Sequence, residues 1–134
     1  MDFDILTIFP DFFVSPLQEG IVRRAQADGK IRVRVHNLRD FAVDRHRMTD
    51  DRPFGGGEGM VMKPEPLAAC VQAARRHEGE SRVILLSPKG KQFRQAAAER
   101  LAEYDQLLFV CGRYEGVDER FCDRYVDEEL SIGD

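Results

Sequence analysis

The residues best suited to binding or catalysis form a short polar segment between two glycines, Gly112 and Gly116. The segment consists of Arg113, Tyr114 and Glu115. It offers a guanidinium, a ring face and a carboxylate, and the glycines let backbone approach a ligand closely because they carry no Cβ. An apolar run at residues 107–110 precedes it and predicts a buried strand, and a helix is predicted to begin at Val117. Ligands bind at such strand-to-helix junctions in parallel α/β sheets.

A structural reading of the same segment stays open. Its polar residues would then face water in an ordinary turn, and Glu115 would be an acid near a helix N-terminus that interacts with the helix dipole. Under the functional reading Glu115 orients a cationic or hydroxyl group, with Arg113 in a supporting role.

The elements that would position this segment alternate along the chain. Apolar runs or alternation predict strands at residues 4–9, 31–36, 83–86, 107–110 and 125–130. Helical spacing predicts two short pieces over 12–28 separated by Gly20, a helix from Pro64 closed by Gly79, and one carrying Phe93, Ala97 and Leu101. This alternation predicts an α/β fold, a mainly parallel sheet with helices on both faces.

Three glycine-containing loops follow strands in this scheme. They are Leu86–Gly90, Cys111–Gly116 and Ser131–Asp134. Parallel strands would bring all three to one sheet edge, where backbone N–H and C=O groups could hold a heterocycle such as adenine, between Pro88 and Ile132 as apolar walls.

The longest stretch without periodicity runs from Arg39 to Lys63 and holds four glycines among residues 55–59. A loop of this length is functional or disordered in most compact domains. No Gly-Lys-Ser/Thr follows, so it is not a P-loop. A flexible surface loop is an equal alternative, and Asp50 and Asp51 could form ion pairs with Arg47 and Arg52 that order it.

Composition narrows the classes of protein. The chain has 134 residues, 43% of them apolar and 33% charged, which suits one domain with its own core. No apolar run approaches the roughly 20 residues that span a bilayer, and the acidic start does not resemble a signal peptide, so we expect a cytoplasmic protein. Three cysteines without Cys-x-x-Cys spacing and three scattered histidines predict neither a disulfide framework nor a metal site.

Charge is unevenly distributed. Residues 21–52 carry nine basic and five acidic side chains, whereas residues 113–134 carry three basic and eight acidic ones. A local basic patch can hold phosphate even in a chain of net charge −4, although a solvated face is the simpler reading of the charge alone.

Taken together, the motifs resemble bacterial tRNA (guanine-N1)-methyltransferases, of the knotted SPOUT class. The matching stretches span nearly the whole chain in order: Ile8–Pro10, Arg39–Phe41, Asp44–Arg47, Asp50–Gly57, Gly59–Met60, Leu86–Gly90, Val110–Gly116, Asp118–Arg120, Asp127–Glu129 and Ser131–Asp134. No one stretch is decisive, but their combination is specific.

The resemblance implies methyl transfer from S-adenosylmethionine to N1 of the guanosine just 3′ of a tRNA anticodon. It implies a SPOUT domain over residues 1–134 with a trefoil knot, incomplete at its C-terminus, and a homodimer whose active sites are shared between subunits. The implied cofactor-binding residues are Leu86, Ser87, Pro88, Gly112, Tyr114, Glu115, Gly116, Ser131, Ile132, Gly133 and Asp134. The implied substrate-binding residues are Arg45, Arg47, Asp50, Arg52, Gly57 and Gly59.

The sequence also departs from the family. Family members are much longer, with a tRNA-gripping helical domain absent here, and the aspartate taken as general base lies beyond Asp134. No catalytic base or magnesium ligand is therefore assignable, although the family suggests that magnesium assists the reaction. We expect residues 1–134 alone to bind cofactor weakly and not to turn over. A non-catalytic RNA-binding α/β module and a structural dimerisation domain are the alternatives.

Overall fold

The computed structural model describes residues 1–42, 50–51, 61–112 and 116–133. Its strands are β1 (Asp2–Thr7), β2 (Arg32–Asn37), β3 (Asp50–Asp51), β4 (Val61–Met62), β5 (Ser81–Gln92), β6 (Gln106–Cys111), β7 (Gly116–Val117) and β8 (Glu128–Ser131). Its α-helices are α1 (Val14–Leu17), α2 (Gly20–Ala27), α3 (Pro64–Ala74), α4 (Gln95–Leu101) and α5 (Glu119–Tyr125). Two 3₁₀ helices span Pro10–Phe13 and Leu38–Phe41.

The main sheet has the strand order β2-β1-β6-β5-β8, and every pairing in it is parallel. Strand β6 lies at its centre, and its apolar run Leu107–Val110 is almost continuously buried, as expected for a strand covered on both faces. The α/β class with a parallel sheet, predicted from the alternation of elements, is confirmed.

Helices cover both faces of this sheet, as predicted. On one face, α3 and α5 bury Leu67, Val71 and Phe121 against Leu6 and Val110 of the sheet. On the other face, Leu101 of α4 packs with apolar side chains from three strands, namely Ile84, Leu107 and Leu130. Burial of these side chains drives the stacking of the layers, at about 1.5–3 kcal/mol for each large one.

An ion-pair cluster fastens α4 to the edge of the sheet. Glu128 of β8 accepts hydrogen bonds from Arg82 Nε of β5 at 2.8 Å and from both terminal nitrogens of Arg100 of α4 at 2.8 and 2.9 Å. The bond from Arg100 is the largest of the effects that hold the pKa of Glu128 below its ordinary value. The carboxylate therefore joins two strands and a helix at one point.

Several predicted boundaries were wrong. The helix predicted to begin at Val117 begins at Glu119, because Val117 pairs in β7. The strand predicted over 125–130 is Glu128–Ser131, because Tyr125 is the last residue of α5. Helix α3 ends at Ala74 rather than near Gly79, because the backbone N–H of Arg76 donates to the side-chain carbonyl of Gln106 at 2.8 Å, outside the helical pattern. Gly79 instead forms a turn with a φ of +81°. Phe93 precedes α4 rather than lying on its apolar stripe, and it is 44% exposed.

Strand β5 extends through Gln92 instead of ending at Leu86. Its register shifts after Leu86, so that Leu86 and Lys91 both lie opposite Leu130 of β8. The predicted loop Ser87–Gly90 is thus an excursion inside a strand, and the chain returns to β8 after it.

A second, small sheet was missed by the sequence analysis. Strand β3 pairs antiparallel with β4, which pairs parallel with β7, and the register sets Asp50 opposite Met62 and Val61 opposite Gly116. Strands of two residues have no readable period. The aperiodic stretch 39–63 therefore contains two short strands, and residues 43–49 and 52–60 within it lie outside the described part.

In the described part of the chain, no helix is both long and apolar enough to cross a membrane. The trefoil knot implied by the resemblance stays a prediction.

Candidate functional site

Three strands of the main sheet meet at one rung near their carboxyl ends. Leu86 of β5 lies opposite Cys111 of β6 and also opposite Leu130 of β8. The chain leaves this rung at Ser87, where the excursion inside β5 begins, and at Gly112 after β6, and β8 itself ends one residue further on, at Ser131. Side by side, these exits form one cluster, the three-strand edge, at the position where parallel α/β sheets bind ligands.

Gly112 lies at the centre of the three-strand edge, between backbone and side-chain atoms of its neighbours. A Cβ on Gly112 would lie 3.4 Å from the carbonyl oxygen of Leu86 and 3.6 Å from Cγ2 of Val117, which are ordinary contacts. The protein itself therefore tolerates a methyl group here.

Gly90 was not among the predicted site residues, yet the edge depends on it. A Cβ on Gly90 would lie 2.6 Å from the carbonyl carbon of Glu129 and 2.6 Å from the backbone nitrogen of Leu130. Only glycine lets the excursion of β5 rest directly on the backbone of β8. The sequence signal for this position was the run Ser-Pro-Lys-Gly, which ends in Gly90.

Two serine hydroxyls at the edge form hydrogen bonds to the nearby backbone and fix the local chain conformation. Ser87 Oγ accepts a hydrogen bond from the backbone N–H of Lys89 at 3.0 Å, and Ser131 Oγ donates to the carbonyl of Gly133 at 2.9 Å. The backbone N–H of Phe93 also donates to the carbonyl of Ser131 at 2.8 Å. The excursion inside β5 and the exit after β8 are thereby held in defined conformations.

Ile132 is the exposed apolar residue of this cluster, with 74% of its surface in solvent. It follows Ser131 directly, and Ser131 lies opposite Gln92, after the excursion that contains Pro88. A large aliphatic side chain next to exposed backbone groups is the mixture that lines sites for flat heterocycles.

The pKa values of two ionisable groups near the edge make these groups weak nucleophiles or bases. Burial raises the pKa of the Cys111 thiol to about 11, so that it is neutral at physiological pH and a poor nucleophile. Asp118 accepts a bidentate pair from Arg120 at 3.0 and 2.8 Å, and this hydrogen bonding lowers the pKa of its carboxyl. Asp118 also caps α5 by accepting from the backbone N–H of Arg120 at 2.8 Å.

Several predicted site residues lie outside the described part of the chain. They are Arg45, Arg47, Arg52, Gly57, Gly59, Arg113, Tyr114, Glu115 and Asp134. Their predicted roles stay predictions. Of the other predicted residues, Asp50 lies in β3, and Gly116 has a φ of +153° in β7, a conformation that favours glycine.

The small sheet joins the two regions that the sequence analysis treated separately. Because Met62 pairs with both Asp50 and Val117, the strands on either side of residues 52–60 are tied to β7, just beyond the three-strand edge. The ends of the predicted substrate loop and of the predicted cofactor loop thus share one hydrogen-bonded unit.

Comparisons with known proteins find related sequences over the whole chain. Residues 1–134 match the family model described as tRNA (Guanine-1)-methyltransferase TrmD. The chain is 56% identical to a tRNA (guanine-N(1)-)-methyltransferase of Geobacter sulfurreducens, 57% to one of Geotalea uraniireducens and 54% to one of Chloroflexus aggregans. In each case all of this chain is covered, but only 55%, 54% and 53% of the relative, so the chain spans about half the length of these relatives.

Proposed function

The chain belongs to the tRNA (guanine-1)-methyltransferase family, and on this premise we propose that the protein transfers a methyl group from S-adenosylmethionine to N1 of a guanosine in tRNA. The proposed target is the guanosine immediately 3′ of the anticodon, position 37. Because the chain spans about half the length of its relatives, the proposal concerns the activity of a whole protein to which these residues contribute the cofactor-binding domain.

The pairing of Leu86 with both Cys111 and Leu130 is the observation that carries the proposal. It gathers three exits from the sheet at one place, where exposed backbone groups at Leu86 and Gly112 can hydrogen-bond an adenine ring. Pro88 and Ile132 would supply apolar walls for the ring. When bound, the cofactor supplies an electrophilic methyl group on a sulfonium centre.

The residues present fit such a ligand on structural grounds. A Cβ at Gly112 would make only ordinary contacts, Ile132 is exposed at 74%, and Ser87 and Ser131 fix the loops around it by internal hydrogen bonds. A preformed cradle reduces the entropy lost on binding. We propose that Tyr114, Glu115, Gly116, Gly133 and Asp134 complete it.

The proton on N1 of guanine has to leave during methylation, which calls for a positioned base. Cys111 is a neutral thiol, and Asp118 is a weakened base because its pKa is lowered by Arg120. We assign the base to neither residue, and we propose that it lies outside residues 1–134. Residues 1–134 alone should therefore not turn over, and Arg113 and Glu115 would have supporting roles.

We further propose that Arg45, Arg47, Asp50, Arg52, Gly57 and Gly59 contribute to the tRNA surface. Reversing Arg45 and Arg47 to Glu should weaken tRNA association and flatten its dependence on salt, because phosphate contacts release counterions. The S-adenosylmethionine affinity measured by calorimetry serves as the control and should not change. Wild-type tRNA affinity in the reversed variant would remove this stretch from the RNA surface.

The assembly that we propose is a cytoplasmic homodimer with active sites shared between subunits and with activity assisted by magnesium. Light scattering of the full-length protein gives the oligomeric state. Mixing two full-length variants, each inactive through a change in a different loop, should restore up to a quarter of the activity if sites are shared. Titration with magnesium and chelator tests the metal.

Incorporation of radiolabelled methyl groups tests the function. The full-length protein should methylate a tRNA transcript that carries guanosine 3′ of the anticodon, and should leave a matched transcript with adenosine at that position unlabelled. RNA binding without methyl incorporation would instead favour a non-catalytic RNA-binding module.

A further inference from the structure

A cavity of about 730 Å³ lies over the half of the main sheet opposite to β5 and β8. Its walls come from the carboxyl ends of β1 and β2, from the 3₁₀ helix Pro10–Phe13, and from Cys111 and Gly112 at the end of β6. Because β6 is the central strand, Gly112 borders both this cavity and the three-strand edge. The volume lies within the range of about 300–1,000 Å³ that is usual for small-molecule sites.

Aromatic rings form one side of the cavity. Phe9 is 42% exposed and Phe12 is 74% exposed, and both line the cavity. Phe12 and Phe13 meet edge to face, with ring centroids 5.2 Å apart, which restricts the orientation of the Phe12 ring. Exposed rings at the mouth of a cavity are typical of surfaces on which bases stack.

The polar side of the cavity carries a guanidinium, an amide and a carboxylate, from Arg39, Asn37 and Asp11. Asn37 Oδ1 accepts from the backbone N–H of Arg39 at 3.0 Å, which caps the 3₁₀ helix that presents Arg39. Thr7, 4% exposed, accepts from the backbone N–H of Phe9 at 3.0 Å and so fixes the exit from β1. An arginine can bind the phosphate of a nucleotide while an aromatic ring stacks on its base.

We infer that this cavity binds an unpaired nucleotide of the tRNA anticodon loop, a neighbour of the methylated guanosine, with its base against Phe12 and its phosphate at Arg39. The inference rests on the proposed function, since it takes the target base to reach the three-strand edge that Gly112 borders. A nucleotide next to the target then falls beside Gly112, on the side away from the cofactor. Single-stranded RNA is recognised in this way, by splaying bases onto aromatic side chains.

Phe12→Ala in the full-length protein tests the inference, with Ile21→Ala as the matched control. Ile21 is 79% exposed on α2 and does not line the cavity. The probe is an anticodon stem-loop RNA carrying 2-aminopurine in turn on each side of the target guanosine. Wild-type protein and Ile21→Ala should quench one of the two reporters, whereas Phe12→Ala should lose that quenching and bind the RNA about tenfold more weakly.

Two further measurements keep the result interpretable. Circular dichroism and the affinity for S-adenosylmethionine should match wild type in Phe12→Ala, so that misfolding is recognised. Arg39→Gln should reduce the slope of log affinity against log salt by about one.

Wild-type RNA affinity and quenching in Phe12→Ala would overturn the inference, as would equal binding of free mononucleotide and stem-loop. Failure of the proposed function looks different. In that case wild-type protein transfers no methyl group to tRNA, whatever residue occupies position 12.

Discussion

Gln106 of β6 donates a hydrogen bond from its side-chain amide to the buried carboxylate of Asp4 of β1 at 2.7 Å. Asp4 in turn links the centre of the sheet to the edge strand β2. Asp4 is fully buried and also accepts hydrogen bonds from Arg34 at 3.0 and 3.3 Å and interacts with His36 at 2.7 Å. The amide of Gln106 donates in addition to the carbonyl of Ala74 at 2.8 Å. One polar network thus holds β1, β2, β6 and the end of α3 together.

Asp4→Asn should lower the free energy of unfolding by about 2 kcal/mol at pH 7, because it removes the charge that a buried hydrogen-bond network surrounds. Urea unfolding of the variant measures this loss. Asp28→Asn, at the exposed end of α2, is the control and should leave stability within about 0.5 kcal/mol of wild type. An Asp4→Asn protein as stable as wild type would show that the network contributes nothing net.

The same carboxylate predicts a dependence of stability on pH. Burial raises the pKa of Asp4, but hydrogen bonds from His36, Gln106 and Arg34 outweigh it and set the pKa below its ordinary value of 3.8. The stabilisation is therefore complete above the ordinary value and is lost as the pH falls through the lowered, folded-state value. Urea unfolding between pH 7 and pH 2 should show a smaller acid-induced loss for Asp4→Asn than for wild type.

Gly90→Ala should disturb the three-strand edge, because its Cβ would lie 2.6 Å from the backbone of Glu129 and Leu130. We expect a loss of about 2 kcal/mol in the free energy of unfolding, as for other overpacked sites, and weaker S-adenosylmethionine binding. Gly133→Ala is the control, since nothing lies within 4 Å of a Cβ there. Equal melting temperatures for the two variants would contradict the close packing of the excursion on β8.

Gly112→Val separates folding from ligand binding. A Cβ at this position fits the protein, with its nearest atom 3.4 Å away, so circular dichroism should show a folded domain. The two further methyl groups would occupy the space proposed for the cofactor, and calorimetry should show at least a tenfold loss of S-adenosylmethionine affinity. Gly112→Ala should retain most of the binding. Unimpaired binding by the valine variant would place the cofactor elsewhere.

Cys70 and Cys111 should be unreactive while the protein is folded. Burial raises the pKa of Cys70 to about 12 and that of Cys111 to about 11, so their reactive thiolates are scarce at pH 8. Mass spectrometry after iodoacetamide treatment should find both residues unmodified in buffer and alkylated in urea. Rapid alkylation of Cys111 in buffer would show that the end of β6 is more open than described.

The sequence permitted much of the fold to be predicted, because its signals are local. Apolar runs at residues 83–86 and 107–110 and alternation at 31–36 marked three strands of the main sheet, and glycines marked the turns that follow two of them. The family was likewise recognisable, since its motifs are contiguous stretches of sequence.

Other features were out of reach because they depend on contacts between distant residues. The end of α3 depends on Gln106, which is 30 residues away from Arg76, and the return of β5 depends on the backbone of β8. The small sheet joins strands of two residues that carry no pattern of their own. The predictions at these places were wrong or missing.

Local patterns along the chain predicted the strands at residues 31–36, 83–86 and 107–110, the glycine after β6, and the family. The position of Leu86 between Cys111 and Leu130, the lack of room for a Cβ at Gly90, and the place of Gly112 at the border of the cavity lined by Phe12 are visible only in the folded chain. The physical reason is that strand period and hydrophobicity act along the chain, whereas register and strand order follow from the packing of side chains and backbone that meet only when the chain folds.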